Sequence, residues 1–381
     1  MSFSHEKLIV YQRILVFNSK VSLWLLSLTL ISIQFFASGC KKQDVPLNEA
    51  AAWQWPVMGT LASLTVRGDA PDTALMLAKA ALEEVNAQLS VFNPASNVGQ
   101  LNVAAGMDVA IRLHPHTQHM LDVSIQYCRD SGGAFSPLVG PLMEAWGFFR
   151  GGEGRAIGVP SAEVIADAQR LCDLSRVERR DDGTARLLDV GMKLDFGAIA
   201  KGYGVDVAFE RLLAANYTNV LVNLGGNMRA QGVPSPERKA WRIAIRDPRL
   251  TLADQPLGTV LLGEGRAIAT SGSYEQYFEW EGKRYSHIMD PRTGFPVSDE
   301  VLQVTILAPT AMAADALSTT CFVLGAEAGM KYLARQPGCE ALFVVSGGKG
   351  SFSVSMTEGF KAVFEASPPH TGAQKNDCKT D

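Results

Sequence analysis

The stretch that is most informative about the fold and function of this chain runs from Ala269 to Thr320. It contains three segments: Ala269–Tyr274 (ATSGSY), Tyr285–Pro296 (YSHIMDPRTGFP) and Ala308–Asp315 (APTAMAAD). Small hydroxyl residues, one histidine, a tight Asp-Pro-x-Thr-Gly turn and an acidic residue in an apolar run lie close together. Folding does not require this combination, whereas handling a phosphorylated ligand does.

The bulk composition is that of a globular protein. The chain has 381 residues, of which 47% are hydrophobic and 19% charged, enough for one large domain or two modest ones. Its formal net charge is -4 and no face rich in Lys and Arg stands out. The charge balance therefore argues against a nucleic-acid partner.

The N-terminus has the parts of an export signal. Basic residues precede the apolar run 21–37, and small residues lead to Gly39 and Cys40. This arrangement resembles a bacterial lipoprotein signal over residues 1–39, with Cys40 lipidated and 40–52 as a tether. The alternative is an uncleaved anchor helix, since about 17 apolar residues is near the lower limit for crossing a bilayer. Both interpretations predict that the body lies outside the cytoplasm.

Cysteine spacing gives no metal or redox motif. No CxxC pair occurs among the cysteines after Cys40, and Cys128 and Cys321 lie in helical patterns that predict burial. The histidines His114, His116 and His119 have no acidic partner in sequence, which favours a surface cluster over a metal site.

The order of the elements predicts an α+β fold with mostly antiparallel sheets and packed helices. Apolar spacing predicts helices at 71–89, 116–127, 161–171, 198–215 and 311–325. Alternating or short apolar runs predict strands at 61–66, 187–194, 220–224, 241–245, 258–262, 267–270, 302–308, 341–345, 352–355 and 361–364. Residues 90–102 are expected to form a loop, and 366–381 a disordered tail.

The segment 194–206 is the strongest local unit. A strand-to-helix junction follows Asp195, and such junctions offer free backbone N–H groups to an anion. Lys201 lies a turn further on. The alternatives are N-capping by Asp195 and a solvated Lys201. Gly202 and Gly204 favour close packing, because each glycine inside a helix costs roughly 1 kcal/mol.

Two further segments carry candidate ligand contacts. In the Gly- and Pro-rich segment 131–148, Phe135 and Trp146 are either stacking partners for a planar ring or core plugs. In the other, Asp315, Ser318 and Thr319 share one helical face. One carboxylate and two hydroxyls suit Mg²⁺, although a polar helix face has the same spacing.

Taken together, motifs over residues 53–365 resemble the ApbE family of bacterial flavin transferases. The matching segments are Met58–Thr60, Ser90–Asn102, Gly133–Ser136 with Gly140–Leu142, Asp195–Tyr203, Asn223–Asn227, Thr270–Gly272, Ser286–Pro291 and Ala308–Ala311 with Asp315. The resemblance implies one large, T-fold-like domain over 53–365.

The same resemblance implies a Mg²⁺-dependent FAD:protein FMN transferase, which moves FMN from FAD to a Thr or Ser hydroxyl of another protein and releases AMP. Carried over by position, the expected FAD contacts are Met58, Phe92, Ala134, Phe135, Ser136, Asp195, Lys201 and Met289. The expected metal ligands are the Ala198 carbonyl, Asp315, Ser318 and Thr319.

His287 is the only histidine in these motifs, and imidazole suits a base for the acceptor hydroxyl. The family implies an exported, membrane-anchored lipoprotein facing the periplasm, acting on a subunit of a membrane redox complex. Two other functions remain open from the sequence: an FAD pyrophosphatase, and a non-catalytic FAD-binding lipoprotein.

Overall fold

The computed structural model describes residues 50–149, 158–249, 256–298, 300–348 and 351–368. The predicted signal segment, Cys40 and most of the tail lie outside these ranges. The strands are β1 (Ala51–Val57), β2 (Thr60–Val66), β3 (Ile111–Arg112), β4 (Val177–Arg179), β5 (Thr184–Leu187), β6 (Val220–Leu224), β7 (Asn227–Gln231), β8 (Trp241–Ile245), β9 (Gly258–Leu262), β10 (Ala267–Gly272), β11 (Tyr277–Trp280), β12 (Lys283–Ser286), β13 (Met289–Asp290), β14 (Phe295–Pro296), β15 (Val301–Ala308), β16 (Glu340–Gly348), β17 (Ser351–Met356) and β18 (Phe364–Ala366).

The described ranges contain the five helices predicted from apolar spacing and four that the sequence did not predict. They are α1 (Pro71–Leu89), α2 (Asn97–Val103), α3 (Pro115–Asp130), α4 (Gly140–Ala145), α5 (Ala162–Arg170), α6 (Ala200–Ala214), α7 (Ala311–Leu324), α8 (Ala326–Leu333) and α9 (Glu358–Lys361). None of the helices in the described ranges has the length and hydropathy needed to cross a bilayer.

The central element is a sheet in the order β1-β2-β6-β7-β10-β15-β16-β17, in which every neighbouring pair is antiparallel. Smaller antiparallel groups are β18-β9-β8, β3-β5-β4, β11-β12 and β13-β14. The described residues belong to one compact unit spanning 45–381. The predicted α+β class with mostly antiparallel sheets is therefore confirmed.

Strand β10 shows how the sheet separates two cores. Ala267 and Ala269 belong to the core formed with α1, α6 and α7, whereas Ile268 packs into the core shared with β8 and β9. Successive side chains of a strand point to opposite faces, so Thr270 follows Ile268 and Ser271 follows Ala269. This alternation decides which polar groups meet α7.

Two predicted strands are wrong in part. Over 187–194 only Leu187 is in a strand, because a turn follows it. Beyond the turn the backbone of Leu194 pairs with the Asn102 side chain, which accepts from its N–H at 2.7 Å and donates to its carbonyl at 2.9 Å. Residues 361–364 begin inside α9, whose Phe360 is fully buried, and only Phe364 is in a strand.

Three boundaries also shift. The segment 90–102, expected as a loop, contains α2, because the Ser96 hydroxyl caps it by accepting from the N–H of Gly99 at 2.8 Å. The tether predicted for 40–52 overlaps β1 by two residues, Ala51 and Ala52, which pair with Val66 and Thr65. The tail predicted from 366 begins on the last residue of β18.

Candidate functional site

One cavity collects nearly all the residues singled out from the sequence. Its volume is about 450 Å³, within the range of ligand pockets. The predicted residues that line it are Met58, Phe92, Ala134, Phe135, Ser136, Asp195, Ala198, Lys201, His287, Met289, Asp315 and Thr319. Of the flavin, metal and base residues carried over from the family resemblance or the motifs, Ser318 is the one that is absent from the lining. The roles of these residues remain predictions, whereas their convergence is observed.

The segment before α6 is held by local hydrogen bonds. Asp195 Oδ1 accepts from the N–H of Gly197 at 2.8 Å, so it closes a turn ahead of the helix and does not cap the helix itself. Lys201 Nζ donates to the Gly197 carbonyl at 2.7 Å, which bends its side chain back over the junction. Burial raises the pKa of the Asp195 carboxyl.

Asp315 of α7 supplies the cap that α6 lacks. Its Oδ2 accepts from the N–H of Gly202 in the first turn of α6 at 2.9 Å, and its Oδ1 lies 3.4 Å from Lys201 Nζ. Such close approach needs glycine, since a Cβ at position 202 would lie 2.1 Å from the Ala311 carbonyl oxygen. The expected close packing at Gly202 is against another backbone.

The start of α7 is fixed from α6 as well. The Asp206 carboxylate accepts from the N–H groups of Ala311 and Met312, each at 2.8 Å, and Arg229 Nη1 lies 3.0 Å away. Negative charge at a helix N-terminus is favourable. The two helices therefore hold each other's first turns, and this contact sets where Asp315 points.

The hydroxyls of α7 differ in access to the cavity. Thr319 lines it, whereas Ser318 is fully buried and donates to the Asp315 carbonyl at 2.9 Å. Ser271 of β10 also lines the cavity, with its Oγ 2.8 Å from Ser318 Oγ and 3.2 Å from Thr319 Oγ1. Metal ligation by Ser318 stays a prediction, and its hydroxyl is already engaged by protein groups.

His287 is oriented by the backbone. Its Nδ1 lies 3.1 Å from the Gln276 carbonyl oxygen, which can only accept, so Nδ1 carries the proton and Nε2 has the free lone pair. Burial lowers the pKa of His287 from its ordinary 6.5, and the charge of Lys201 acts in the same direction. At neutral pH the imidazole is therefore an uncharged base on the cavity wall.

The three aromatic side chains singled out from the sequence, Phe92, Phe135 and Trp146, differ in exposure and in access to the cavity. Phe92 is 58% exposed, and its ring meets that of Phe149 edge to face at a centroid distance of 5.8 Å. Phe135 is buried against Tyr127. Trp146 is not in the lining, because it packs in a separate core and donates from Nε1 to the Gly294 carbonyl at 2.9 Å. The stacking alternative for Trp146 is therefore wrong.

Glu275 is a cavity residue that the sequence argument missed. It lies between β10 and β11 and shares the lining with Lys201, Asp315 and His287. Burial raises the pKa of Glu275, with a further contribution from the charge of Asp315. The signal available was its position directly after the ATSGSY segment.

The histidine cluster lies apart from the cavity lining. His116 Nδ1 is 2.7 Å from the Tyr203 hydroxyl and its Nε2 is 3.2 Å from Glu84. Within the described ranges, no three residues among His, Cys, Asp and Glu are arranged to hold a metal ion. The oxygen donors that the described cavity lining offers a cation include the Asp315 carboxylate and the Thr319 hydroxyl.

Comparison with known proteins identifies what this arrangement resembles. The family model described as "ApbE family" matches residues 58–343. An FAD:protein FMN transferase of Treponema pallidum (strain Nichols) is 36% identical over 308 residues, which cover 76% of this chain and 82% of the relative.

Solved structures agree in fold. The apo form of the Pseudomonas stutzeri flavinyl transferase ApbE matches with a TM-score of 0.73 at 33% identity, covering 84% of this chain and 98% of that one. An ApbE protein from Thermotoga maritima matches with a TM-score of 0.74 at 30% identity, covering 83% and 100%.

Proposed function

The chain belongs to the ApbE family and is an FAD:protein FMN transferase, and we propose that it does this chemistry in the 450 Å³ cavity with a divalent cation. The reaction cleaves the pyrophosphate of FAD. The acceptor hydroxyl forms a bond to the FMN phosphorus, the bond from that phosphorus to the bridging oxygen breaks, and AMP leaves.

The observation that carries this proposal is the shared lining of Asp315, Thr319, Lys201 and His287. Phosphoryl transfer requires neutralised charge and alignment more than covalent catalysis. The carboxylate and hydroxyl of α7 suit a cation, Lys201 suits a phosphate oxygen, and His287 suits the acceptor proton. No single element of the fold carries all four residues.

The residues present fit Mg²⁺. Asp315 is 4% exposed, and the nearest cationic atom to its Oδ1 that the described ion pairs give is Lys201 Nζ at 3.4 Å. This distance is longer than in a close ion pair, so the contact with Lys201 is a weak one. Together with Thr319 Oγ1 and the Ala198 carbonyl, the Asp315 carboxylate forms a set of hard oxygen donors, which Mg²⁺ prefers alongside phosphate oxygens and water. When bound there, such an ion would help to neutralise the charge that develops on the pyrophosphate.

His287 provides the proton acceptor. Because Nδ1–H donates to the Gln276 carbonyl, Nε2 is available to take the proton of the acceptor hydroxyl as the new bond to phosphorus forms. The Gln276 carbonyl also accepts from the backbone N–H of His287 at 2.9 Å, so the ring and its backbone share one anchor.

The decisive experiment separates transfer from hydrolysis. The purified protein is incubated with FAD, Mg²⁺ and a Thr-containing candidate acceptor. A fluorescent flavin band on a denaturing gel together with AMP supports transfer. AMP with free FMN supports a pyrophosphatase, and FAD that remains intact supports binding without turnover.

The cellular setting is also part of the proposal. The basic, apolar and small-residue order of residues 1–39 supports export and lipidation of Cys40, which would anchor the protein at a membrane facing the periplasm. The acceptor is then a membrane redox subunit exposed on that side. Labelling with radioactive palmitate tests this, since Cys40→Ser abolishes incorporation if Cys40 carries the lipid.

A further inference from the structure

Three hydroxyls connect β10 to the cation-facing part of α7. Ser271 Oγ lies within hydrogen-bond distance of both Ser318 Oγ, at 2.8 Å, and Thr319 Oγ1, at 3.2 Å. Ser318 Oγ in turn lies 2.9 Å from the carbonyl oxygen of Asp315. The three side chains thus form one chain of hydrogen bonds that ends on a backbone carbonyl.

The donor of each hydrogen bond in this series follows from the Asp315 carbonyl oxygen at its end. A carbonyl oxygen can only accept, so Ser318 spends its single proton on Asp315. Ser318 Oγ must therefore accept a hydrogen bond from the Ser271 hydroxyl. Ser271 then has no further proton to donate. In the remaining contact Thr319 has to donate to Ser271. The order is Thr319 to Ser271 to Ser318 to the Asp315 carbonyl.

This order leaves the Thr319 oxygen in a defined state. Its proton points toward Ser271, while its lone pairs stay uncommitted on a side chain that lines the cavity. A hydroxyl binds a cation through its oxygen lone pairs, so a proton directed away is the arrangement that ligation needs. Ser318, fully buried and already donating and accepting, is the link in this chain.

We propose that Ser271 is a positioning residue for the cation: it fixes the Thr319 hydroxyl with its lone pairs toward the cavity, and Ser318 keeps Ser271 in the donating state that makes this possible. This inference rests on the proposed function for the cation's role. It assigns to Ser271 and Ser318 a task distinct from ligation.

The test measures cation affinity directly. Mn²⁺ binding to the purified full chain is followed by electron paramagnetic resonance, with Mg²⁺ competition, for wild type, Ser271→Ala, Ser271→Thr and Thr319→Val. Removing a group that orients a metal ligand typically weakens affinity by about tenfold or more. Ser271→Ala should therefore weaken Mn²⁺ and Mg²⁺ binding about tenfold, whereas Ser271→Thr keeps the hydroxyl and should restore it.

A second readout separates positioning from general damage. Ser271 itself lines the cavity and its hydroxyl contacts two others, so Ser271→Ala is expected to lower the thermal midpoint in EDTA somewhat. A positioning role predicts that Mn²⁺ affinity falls more than FAD affinity measured in EDTA, because only cation binding depends on the Thr319 lone pairs. The proposal is overturned if Ser271→Ala binds Mn²⁺ like wild type while Thr319→Val does not, or if Ser271→Thr is as weak as Ser271→Ala. It is also overturned if FAD affinity in EDTA falls as much as Mn²⁺ affinity.

The proposed function fails on a different result. If the wild type binds Mn²⁺ but neither labels an acceptor nor releases AMP, transfer is wrong, and the Ser271 comparison still decides the positioning role. If the wild type binds neither Mn²⁺ nor Mg²⁺, the positioning role is wrong whatever the flavin assay shows.

Discussion

The N–H of Gly202 donates to Asp315 Oδ2 at 2.9 Å, joining two residues 113 positions apart at the crossing of α6 and α7. A carboxylate with 4% exposure is normally costly unless it is hydrogen-bonded. Here the hydrogen bond comes from a helix turn that has no side-chain cap of its own. The same contact that stabilises α6 therefore orients the charged group of the candidate cation site.

Gly202→Ala should separate the two helices. The added Cβ would lie 2.1 Å from the Ala311 carbonyl oxygen and 2.8 Å from Asp315 Cβ, and overpacking of this kind costs about 1–3 kcal/mol. Urea unfolding should show this loss of stability, together with weaker Mn²⁺ binding. Gly204→Ala is the matched control, because its Cβ meets the side-chain ends of Leu82 and Met58 at 3.1 and 3.2 Å. An equal loss in both variants would contradict the backbone clash.

Asp315→Asn should abolish transfer while keeping the fold. The amide oxygen still accepts from Gly202, but the negative charge that suits a cation is gone. A metal ion contributes several kcal/mol to transition-state stabilisation, so transfer should fall by at least about 100-fold. AMP release and acceptor labelling measure the change, and the thermal midpoint in EDTA is the control. Unchanged AMP release would exclude Asp315 from the cation site.

His287→Gln should lower the rate and remove a pH dependence. General-base catalysis contributes about 100-fold or more. Burial lowers the pKa of His287 below its ordinary 6.5. Wild-type kcat/KM should therefore stay level as the pH falls to 6.5, and it should decline only at lower pH, where Nε2 becomes protonated. Acceptor labelling across this pH range, with FAD affinity as control, tests the assignment. If His287→Ala leaves flavin transfer unchanged while Asp315→Ala abolishes it, His287 is structural.

Phe92→Ala should weaken FAD binding without destabilising the protein. The ring is 58% exposed, so its removal should change the free energy of unfolding by less than about 0.5 kcal/mol. Loss of an aromatic stacking partner costs about 0.5–1.5 kcal/mol, which corresponds to a twofold to roughly tenfold weaker Kd. Fluorescence titration with FAD measures this, and Phe92→Tyr should bind like wild type. Equal affinity in all three proteins would remove Phe92 from the flavin site.

Sequence spacing predicted the helices that build the site to within one or two residues. Helices α6 and α7 were expected at 198–215 and 311–325 and lie at Ala200–Ala214 and Ala311–Leu324, because both are long, mostly apolar segments. The α+β class followed from the order of helices and strands. The candidate site followed from motifs shared with a family, since each segment alone had an equally simple structural explanation.

The details that failed depend on contacts distant in sequence. Helical spacing places Asp315, Ser318 and Thr319 on one face of α7, but it does not show which of the two hydroxyls faces the cavity. That depends on Ser271 of β10, whose hydroxyl contacts both. The strand predicted through Leu194 failed because a side-chain amide, that of Asn102, took the place of a neighbouring strand. Neither partner is visible from local periodicity.

The alternation of β10 makes this strand unusually sensitive to changes in length. Ser271 faces α7, while Thr270 faces the opposite layer, where its hydroxyl lies 2.9 Å from that of Thr305. Substitution at either position alters one polar group. Deletion of one residue upstream in the strand would instead move every following side chain to the opposite face of the sheet. Thr270 would then face the α7 side, and Ser271 would face the other layer. Among natural variants of this chain, replacements within β10 should therefore be tolerated more often than insertions or deletions.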